Sequence, residues 1–209
     1  MLKHSLFFEK EKLNGILAYA SRMNDERQSG EVGYYHLMDT SLALIKESEK
    51  FIKDKEYIKK VLLIGMGGSS CGVKALKDFL FDEKSNEREL FIIDNTSSHT
   101  FTQTIKKLNL KDTLFIISSK TGTTIEVVSL FKLLIAHFKL KESELKKHFV
   151  FITDENSKLH QLGDKLGIYS FFVPQNVGGR FSVLSAIGIV PLVICGYNAK
   201  GLLEGAKAC

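Results

Sequence analysis

Residues 61–72 read Val-Leu-Leu-Ile-Gly-Met-Gly-Gly-Ser-Ser-Cys-Gly, a short apolar run followed by a turn of glycine and serine. An apolar run of this length is typical of a strand that is covered on both faces. Four similar runs follow, separated by longer stretches with helical spacing; they occupy residues 90–93, 113–118, 149–152 and 169–173. Because helices between buried strands require parallel crossovers, we predict an α/β fold with a doubly wound, mostly parallel sheet.

Two amphipathic segments precede the first strand, one around residues 8–23 and one around residues 35–52. Apolar residues recur in the second at near-helical spacing, and residues 29–33 between the two are typical of a loop. We therefore predict an N-terminal helical region over residues 1–58, an α/β domain over residues 59–196 and the beginning of a further segment over residues 197–209.

The composition is that of an ordinary globular protein, with 44% hydrophobic and 25% charged residues and a net charge of +5. The lysines are scattered among acidic residues, so we expect no nucleic-acid partner, whereas a small anionic substrate would be attracted.

Cys71, Cys195 and Cys209 show no metal-ligand spacing, and their odd number disfavours a disulfide framework. Residues 181–199 are too interrupted to span a bilayer, and the start does not have the pattern of a signal peptide. We expect a cytoplasmic protein with no membrane partner.

The first loop that could bind a ligand is the glycine turn at residues 65–72, where backbone N–H groups and serine hydroxyls could bind an anion. A tight turn without a ligand is the plain alternative. A dinucleotide-binding turn is a second alternative, with Asp94 at the end of the next strand as the ribose-binding acid. That motif would need glycine at position 70, which is Ser70. The pattern of a nucleoside-triphosphate P-loop does not occur in the sequence.

The second loop follows the third strand and reads Ser118-Ser-Lys-Thr-Gly-Thr-Thr-Ile-Glu126. Its five hydroxyls, with backbone N–H groups at the start of a helix, could bind a phosphate without a metal. The spacing predicts a capping box in which Thr123 is the N-cap and Glu126 the third helical residue, so that the helix begins near residue 124. On that interpretation Glu126 is structural. Ser119, Thr121 and Thr124 are the candidate phosphate ligands, while Lys120 could equally be a solvated surface residue.

The third loop, Val177-Gly-Gly-Arg-Phe-Ser182, opens an almost wholly apolar helix predicted over residues 183–194. Arg180 is always charged and presents several donors, which suits a carboxylate, a phosphate or a developing oxyanion. A salt bridge to a neighbouring acid is the alternative. The six histidines are scattered and receive no role; His99 is the one nearest the predicted edge of the sheet.

Together the three loops resemble the phosphoglucose isomerase family, whose members are built from two sugar-isomerase (SIS) domains. The matching segments are Ile64-Gly-Met-Gly-Gly-Ser69, Ser119-Lys-Thr-Gly-Thr-Thr-Ile-Glu126 and Val177-Gly-Gly-Arg-Phe-Ser-Val-Leu-Ser-Ala-Ile-Gly188. The resemblance covers about residues 61–191 and makes residues 59–196 the first SIS-type domain. It implies interconversion of glucose 6-phosphate and fructose 6-phosphate through an enediolate, without metal or organic cofactor, in a homodimer.

The resemblance also implies a role for each matched residue. Arg180 would stabilise the charge of the enediolate, with Gly179 next to it in the substrate site. Gly68 and Ser69 would lie in the sugar-phosphate region. The phosphate loop would consist of Ser119, Lys120, Thr121, Gly122, Thr123 and Thr124.

The family's glutamate base, ring-opening histidine and C-terminal lysine lie in later segments, and nothing in this sequence matches those segments. We therefore expect an N-terminal fragment that can recognise a sugar phosphate but lacks the base needed to isomerise it. A self-contained sugar-phosphate-binding module, such as a sensor or regulator, is the alternative. Arg180 favours the enzyme, because a binding module has no enediolate to stabilise.

Overall fold

The computed structural model describes residues 13–80 and 87–208. Their five strands form one parallel sheet in the order β2-β1-β3-β4-β5, which confirms the predicted α/β class. The strands are β1 (Lys60–Gly65), β2 (Glu89–Ile93), β3 (Thr113–Ser118), β4 (Phe149–Asp154) and β5 (Tyr169–Val173). Each contains one of the apolar runs. The strands β1, β3 and β4 are buried almost throughout because helices cover both faces of the sheet, whereas the edge strands β2 and β5 have exposed and half-buried positions.

The helices of the described residues precede, separate and follow the strands. They are α1 (Leu13–Ser29), α2 (Leu37–Thr40), α3 (Leu42–Ile52), α4 (Cys71–Phe79), α5 (Ser98–Ile105), α6 (Ile125–Phe138), α7 (Glu142–His148), α8 (Lys158–Leu166), α9 (Ala186–Ile194) and α10 (Ala199–Ala208). The first predicted helical segment, around residues 8–23, begins outside the described residues. The second is a 3-10 turn, Gly33–His36, followed by α2 and α3. None of the described helices is long and apolar enough to cross a membrane.

Alternate residues of β1 belong to the two halves of the core. Val61 and Leu63 pack with apolar side chains of α3, α4, α9 and α10 on one face of the sheet. Leu62 and Ile64 pack with side chains of α5, α6, α7 and α8 on the other. The period of two along a strand thus divides the helices between both faces, which is the doubly wound arrangement.

The strand order reverses between β1 and β3, because β2 lies on one side of β1 while β3 and the later strands lie on the other. In sheets of this kind, ligands bind beyond the carboxyl ends of the strands at such a switch point. The last residues of the two strands, Gly65 and Ser118, are direct partners across the sheet. The glycine turn and the hydroxyl-rich loop therefore leave the sheet side by side.

Candidate functional site

The glycine turn after β1 is closely packed against the loop that carries Arg180. Gly67–Ser69 forms a 3-10 turn, and the Ser70 hydroxyl donates to the Gly67 carbonyl at 3.2 Å. A Cβ atom added to Gly68 would lie only 2.2 Å from the carbonyl oxygen of Gly179. The close approach of two backbones explains why the sequence has glycine at position 68.

Arg180 lies in a second 3-10 turn, Gly179–Phe181. The hydroxyl of Ser182 donates to the Gly179 carbonyl at 2.6 Å and so braces this turn. Arg180 is exposed and forms no ion pair with a described acidic side chain, so the predicted salt-bridge alternative has no support among residues 13–80 and 87–208. Its guanidinium is available to an anionic ligand.

The apolar helix after this turn begins later than the sequence predicted. It was expected from residue 183, but α9 starts at Ala186 with Ser185 as its N-cap. The Ser185 hydroxyl donates to the Ser182 carbonyl at 2.6 Å and accepts from the backbone N–H of Ile187 at 3.3 Å. Serines that bond to nearby backbone groups compete with helix formation, and here they extend the turn by three residues.

The N-terminal region supports the arginine turn, a role that the sequence did not reveal. The backbone N–H of Gly33 donates to the Asn176 carbonyl, and the Asn176 side chain donates to the Gly30 carbonyl, both at 3.0 Å. The rings of Tyr34 and Phe181 lie 5.0 Å apart. These contacts join segments about 145 residues apart in the chain, so no local pattern could have indicated them.

The loop after β3 gathers its hydroxyls in two pairs. Ser119 and Thr124 share a hydrogen bond of 3.0 Å, and Thr121 and Thr123 share one of 2.9 Å. Gly122 has a positive φ of +68°, and a Cβ there would lie 2.4 Å from the backbone nitrogen of Leu159. The loop is thus held against the start of α8. A hydroxyl that is paired only with another hydroxyl can exchange that bond for one to a phosphate oxygen.

The predicted capping box of Thr123 and Glu126 is wrong. The N-cap of α6 is Thr124, no side chain caps the helix, and Glu126 is an exposed residue of its first turn. The physical reason is that Thr123 pairs with Thr121, while Thr124 pairs with Ser119. The first N–H groups of this fourteen-residue helix therefore have no side-chain cap, which suits an anion.

Lys120 is engaged by groups at the ends of two neighbouring strands. Its Nζ donates to Oδ2 of Asp154 at 2.6 Å and to the carbonyl of Gln175 at 3.2 Å. Burial raises the pKa of Asp154, although the adjacent ammonium of Lys120 acts in the opposite direction. Sequence reasoning missed Asp154. The available signal was its position two residues after the apolar run at residues 149–152, at the edge of the sheet where ligands bind.

The residues considered for other chemistry lie apart from these contacts. Asp94, the acid of the dinucleotide alternative, pairs with Lys74 of α4 at 3.1 Å, and the Lys74 ammonium holds the pKa of Asp94 below its usual value. His99 is an exposed residue of α5. Cys71 is an exposed free thiol and Cys195 a buried one, while Cys209 lies outside the described residues.

Comparisons with known proteins agree with the resemblance of the three loops. The chain is 68% identical to the glucose-6-phosphate isomerase of Campylobacter jejuni over 209 residues, all of this chain and 52% of that protein. A Thermus thermophilus protein of solved structure is 27% identical, with a TM-score of 0.80 over 95% of this chain and 48% of its own. The fold is also that of a glucose-6-phosphate isomerase from Chlamydia trachomatis, at 24% identity and a TM-score of 0.65, over 99% of this chain and 36% of that one.

The chain spans about half the length of the curated relatives it matches. The model of the family described as "Phosphoglucose isomerase" matches residues 39–209, which include all three loops and the five strands. The chain belongs to the phosphoglucose isomerase family.

Proposed function

We propose that this chain supplies the phosphate-binding and charge-stabilising part of a glucose-6-phosphate isomerase active site. The observation that carries the proposal is the close approach of Gly68 to the Gly179 carbonyl, at the edge of the sheet where the hydroxyl-rich loop also begins. The approach brings the glycine turn against the turn of the exposed Arg180, which supports a single site made of an anion-binding loop and a guanidinium. An aldose–ketose isomerase needs both, because it must hold a phosphate and stabilise an enediolate.

The hydroxyls of Ser119, Thr121 and Thr124 and the first N–H groups of α6 hold the phosphate oxygens in this proposal. Ser69 borders the same space from the glycine turn. Arg180 faces the reacting carbons, where its guanidinium stabilises the negative charge that forms as a proton moves between C1 and C2. Glucose 6-phosphate and fructose 6-phosphate are the proposed substrates, in keeping with the names of the curated relatives.

We further propose that the base and the ring-opening acid come from parts of the isomerase outside these 209 residues. The support is the family resemblance, which assigns those groups to later segments. The chain alone is then expected to bind a sugar phosphate without isomerising it, and the full-length isomerase is expected to be a homodimer. Residues 59–196 would be the first SIS domain, with residues 1–58 as a helical extension and residues 197–209 leading into a further segment; all five strands lie within 59–196.

A self-contained binding module is less well supported. An exposed Arg180 without a described acidic partner would have no purpose in a site that only binds a phosphate already held by hydroxyls and a helix N-terminus. The curated relatives are also named as isomerases.

A coupled assay of the conversion of fructose 6-phosphate into glucose 6-phosphate by the full-length isomerase tests the proposal. The double variant Ser119→Ala/Thr124→Ala removes two hydroxyls, and a hydrogen bond to a charged group is worth about 1.5–3 kcal/mol. We expect KM to rise at least about tenfold. Thr102→Ala, an exposed threonine of α5, is the matched control and should leave KM unchanged. An unchanged KM in the double variant, or a wild-type protein without activity, would refute the proposed site.

A further inference from the structure

The ion pair of Lys120 and Asp154 is half-buried at the edge of the sheet where the phosphate loop begins. The side chains are 22% and 17% exposed, and Nζ lies 2.6 Å from Oδ2. The backbone N–H of Asp154 donates in turn to the Lys120 carbonyl at 2.8 Å. The two residues are thus joined through both their side chains and their backbones, which fixes the direction of the lysine side chain.

The ammonium of Lys120 also reaches a third strand end. It donates to the carbonyl of Gln175, which lies in the loop between β5 and Arg180. Through this one group the phosphate loop after β3 is tied to the end of β4 and to the loop that carries the arginine turn.

Stability is a weak explanation for a carboxylate at position 154. Burial raises the pKa of Asp154, which means that its ionised form is less favourable in the folded protein than in the unfolded chain. Its other oxygen, Oδ1, is buried and has no hydrogen-bond partner among the residues that the structure describes. A buried charge pair is often no more stabilising than uncharged residues of the same size, so the geometry that the pair imposes is the better explanation for it.

We propose that Asp154 is a positioning residue for the isomerisation: it holds the Lys120 ammonium against the Gln175 carbonyl and so sets the distance between the phosphate loop and Arg180. The inference rests on the proposed function, because it takes the phosphate loop and Arg180 as the two ends of one substrate site.

This distance matters because the two ends contact opposite ends of the substrate. The phosphate is on C6, whereas the proton moves between C1 and C2, so the phosphate anchor decides where the reacting carbons lie relative to Arg180. An error of about 1 Å in such an arrangement can cost about 100-fold in rate. In the proposed function the phosphate is held by the hydroxyls of Ser119, Thr121 and Thr124 and by the helix N–H groups. The partners of these hydroxyls in the described structure are other hydroxyls and a backbone N–H of the same loop, not the side chains of the ion pair.

The test is Asp154→Asn in the full-length isomerase, which removes the charge and keeps the shape. We expect kcat to fall at least about tenfold. The inhibition constant of sorbitol 6-phosphate, which carries the phosphate but no carbonyl, should change less than about threefold. Tm shows how far the loss of the partner of the Lys120 ammonium lowers stability. The matched control is Asp164→Asn, a 72% exposed carboxylate on α8, which should leave all three quantities unchanged.

A double-mutant cycle shows whether Asp154 acts through the lysine. If it does, Lys120→Met lowers kcat to a similar extent, and Lys120→Met/Asp154→Asn is no worse than Lys120→Met. The double variant leaves no unpaired charge. If Asp154→Asn alone fails to fold, comparing kcat of the double variant with kcat of Lys120→Met still tests the inference.

Three results would overturn the inference. The first is a kcat of Asp154→Asn within twofold of wild type, and the second is that Asp154→Asn lowers kcat by the same factor in the presence and in the absence of Lys120. The third is an inhibition constant of sorbitol 6-phosphate that rises by the same factor as kcat falls. Failure of the proposed function would look different, because the wild-type protein would then lack isomerase activity or its KM would not respond to Ser119→Ala/Thr124→Ala.

Discussion

Gly68→Ala should impair catalysis by displacing the arginine turn. The Cβ of the new alanine would lie 2.2 Å from the carbonyl oxygen of Gly179, and real Cβ atoms essentially never approach another atom closer than 3.0 Å. The atoms that the new Cβ would meet all belong to the backbone, so no flexible side chain can move aside. The two turns must therefore separate by about 0.8 Å. The displaced residue, Gly179, directly precedes Arg180.

The size of the effect follows from this displacement. A misplacement of about 1 Å at a reacting centre can cost about 100-fold in rate, and overpacking typically costs about 1–3 kcal/mol of stability. We expect kcat of the full-length isomerase to fall between about 10- and 100-fold, with a loss of unfolding free energy of about 1–3 kcal/mol.

The coupled assay from fructose 6-phosphate measures kcat, and chemical denaturation measures the unfolding free energy. Gly205→Ala is the matched control, because a Cβ on this glycine of α10 has no atom within 4 Å. It should keep wild-type activity and gain up to about 1 kcal/mol of stability, since alanine is the better helix former. A Gly68→Ala variant with kcat within threefold of wild type would refute the reasoning that the contact of the two turns sets the position of Arg180.

Three further results are expected. Arg180→Lys in the full-length isomerase should lower kcat far more than it raises KM, since a lysine keeps the charge but loses the fixed fork of donors; the reverse pattern in steady-state kinetics would make Arg180 a binding residue. Gly122→Ala should lower Tm, because alanine must adopt a φ of +68° with its Cβ 2.4 Å from the nitrogen of Leu159; an unchanged Tm in calorimetry would contradict this. The pKa of Asp94 is lowered by Lys74, so this pair should stabilise the fold above about pH 4 and lose its effect as pH falls through the lowered pKa; denaturation of wild type and Asp94→Asn from pH 7 to pH 3 should show the two converging at the acid end, and a constant difference would contradict the expectation.

The strands were predictable because their signal is local. Five apolar runs rich in Val, Ile and Phe are typical of a sheet covered on both faces, and each lies within an observed strand. The three loops were predictable for a related reason, since each follows directly on such a run and all parallel strands present their carboxyl ends at one edge. The role of Arg180 remains a prediction.

The exact starts of the helices were not predictable, because a hydroxyl can bond to more than one neighbour. Thr123 and Glu126 had the spacing of a capping box, but the threonines of this loop pair with other hydroxyls instead. Ser182 and Ser185 likewise form a turn where the apolar pattern predicted a helix. In each case short-range alternatives of similar energy compete, and the tertiary context selects one.

The contacts that unite the site depend on strand register and could not be obtained from spacing. Lys120 and Asp154 are 34 residues apart, and they meet because Ser118 pairs with Ile152 across β3 and β4. The contact of Asn176 with Gly30 is longer in range still. A charged residue at the end of a buried strand was the one local sign of such a role.

The most direct test of the central claim is a crystal structure of the full-length isomerase with sorbitol 6-phosphate. We expect its phosphate oxygens within hydrogen-bond distance of the hydroxyls of Ser119 and Thr124, at the first turn of α6, with the carbon chain extending toward Arg180. A phosphate bound elsewhere, or one at this loop with the carbon chain directed away from Arg180, would contradict the assignment of this edge of the sheet as the phosphate-binding and charge-stabilising part of the active site.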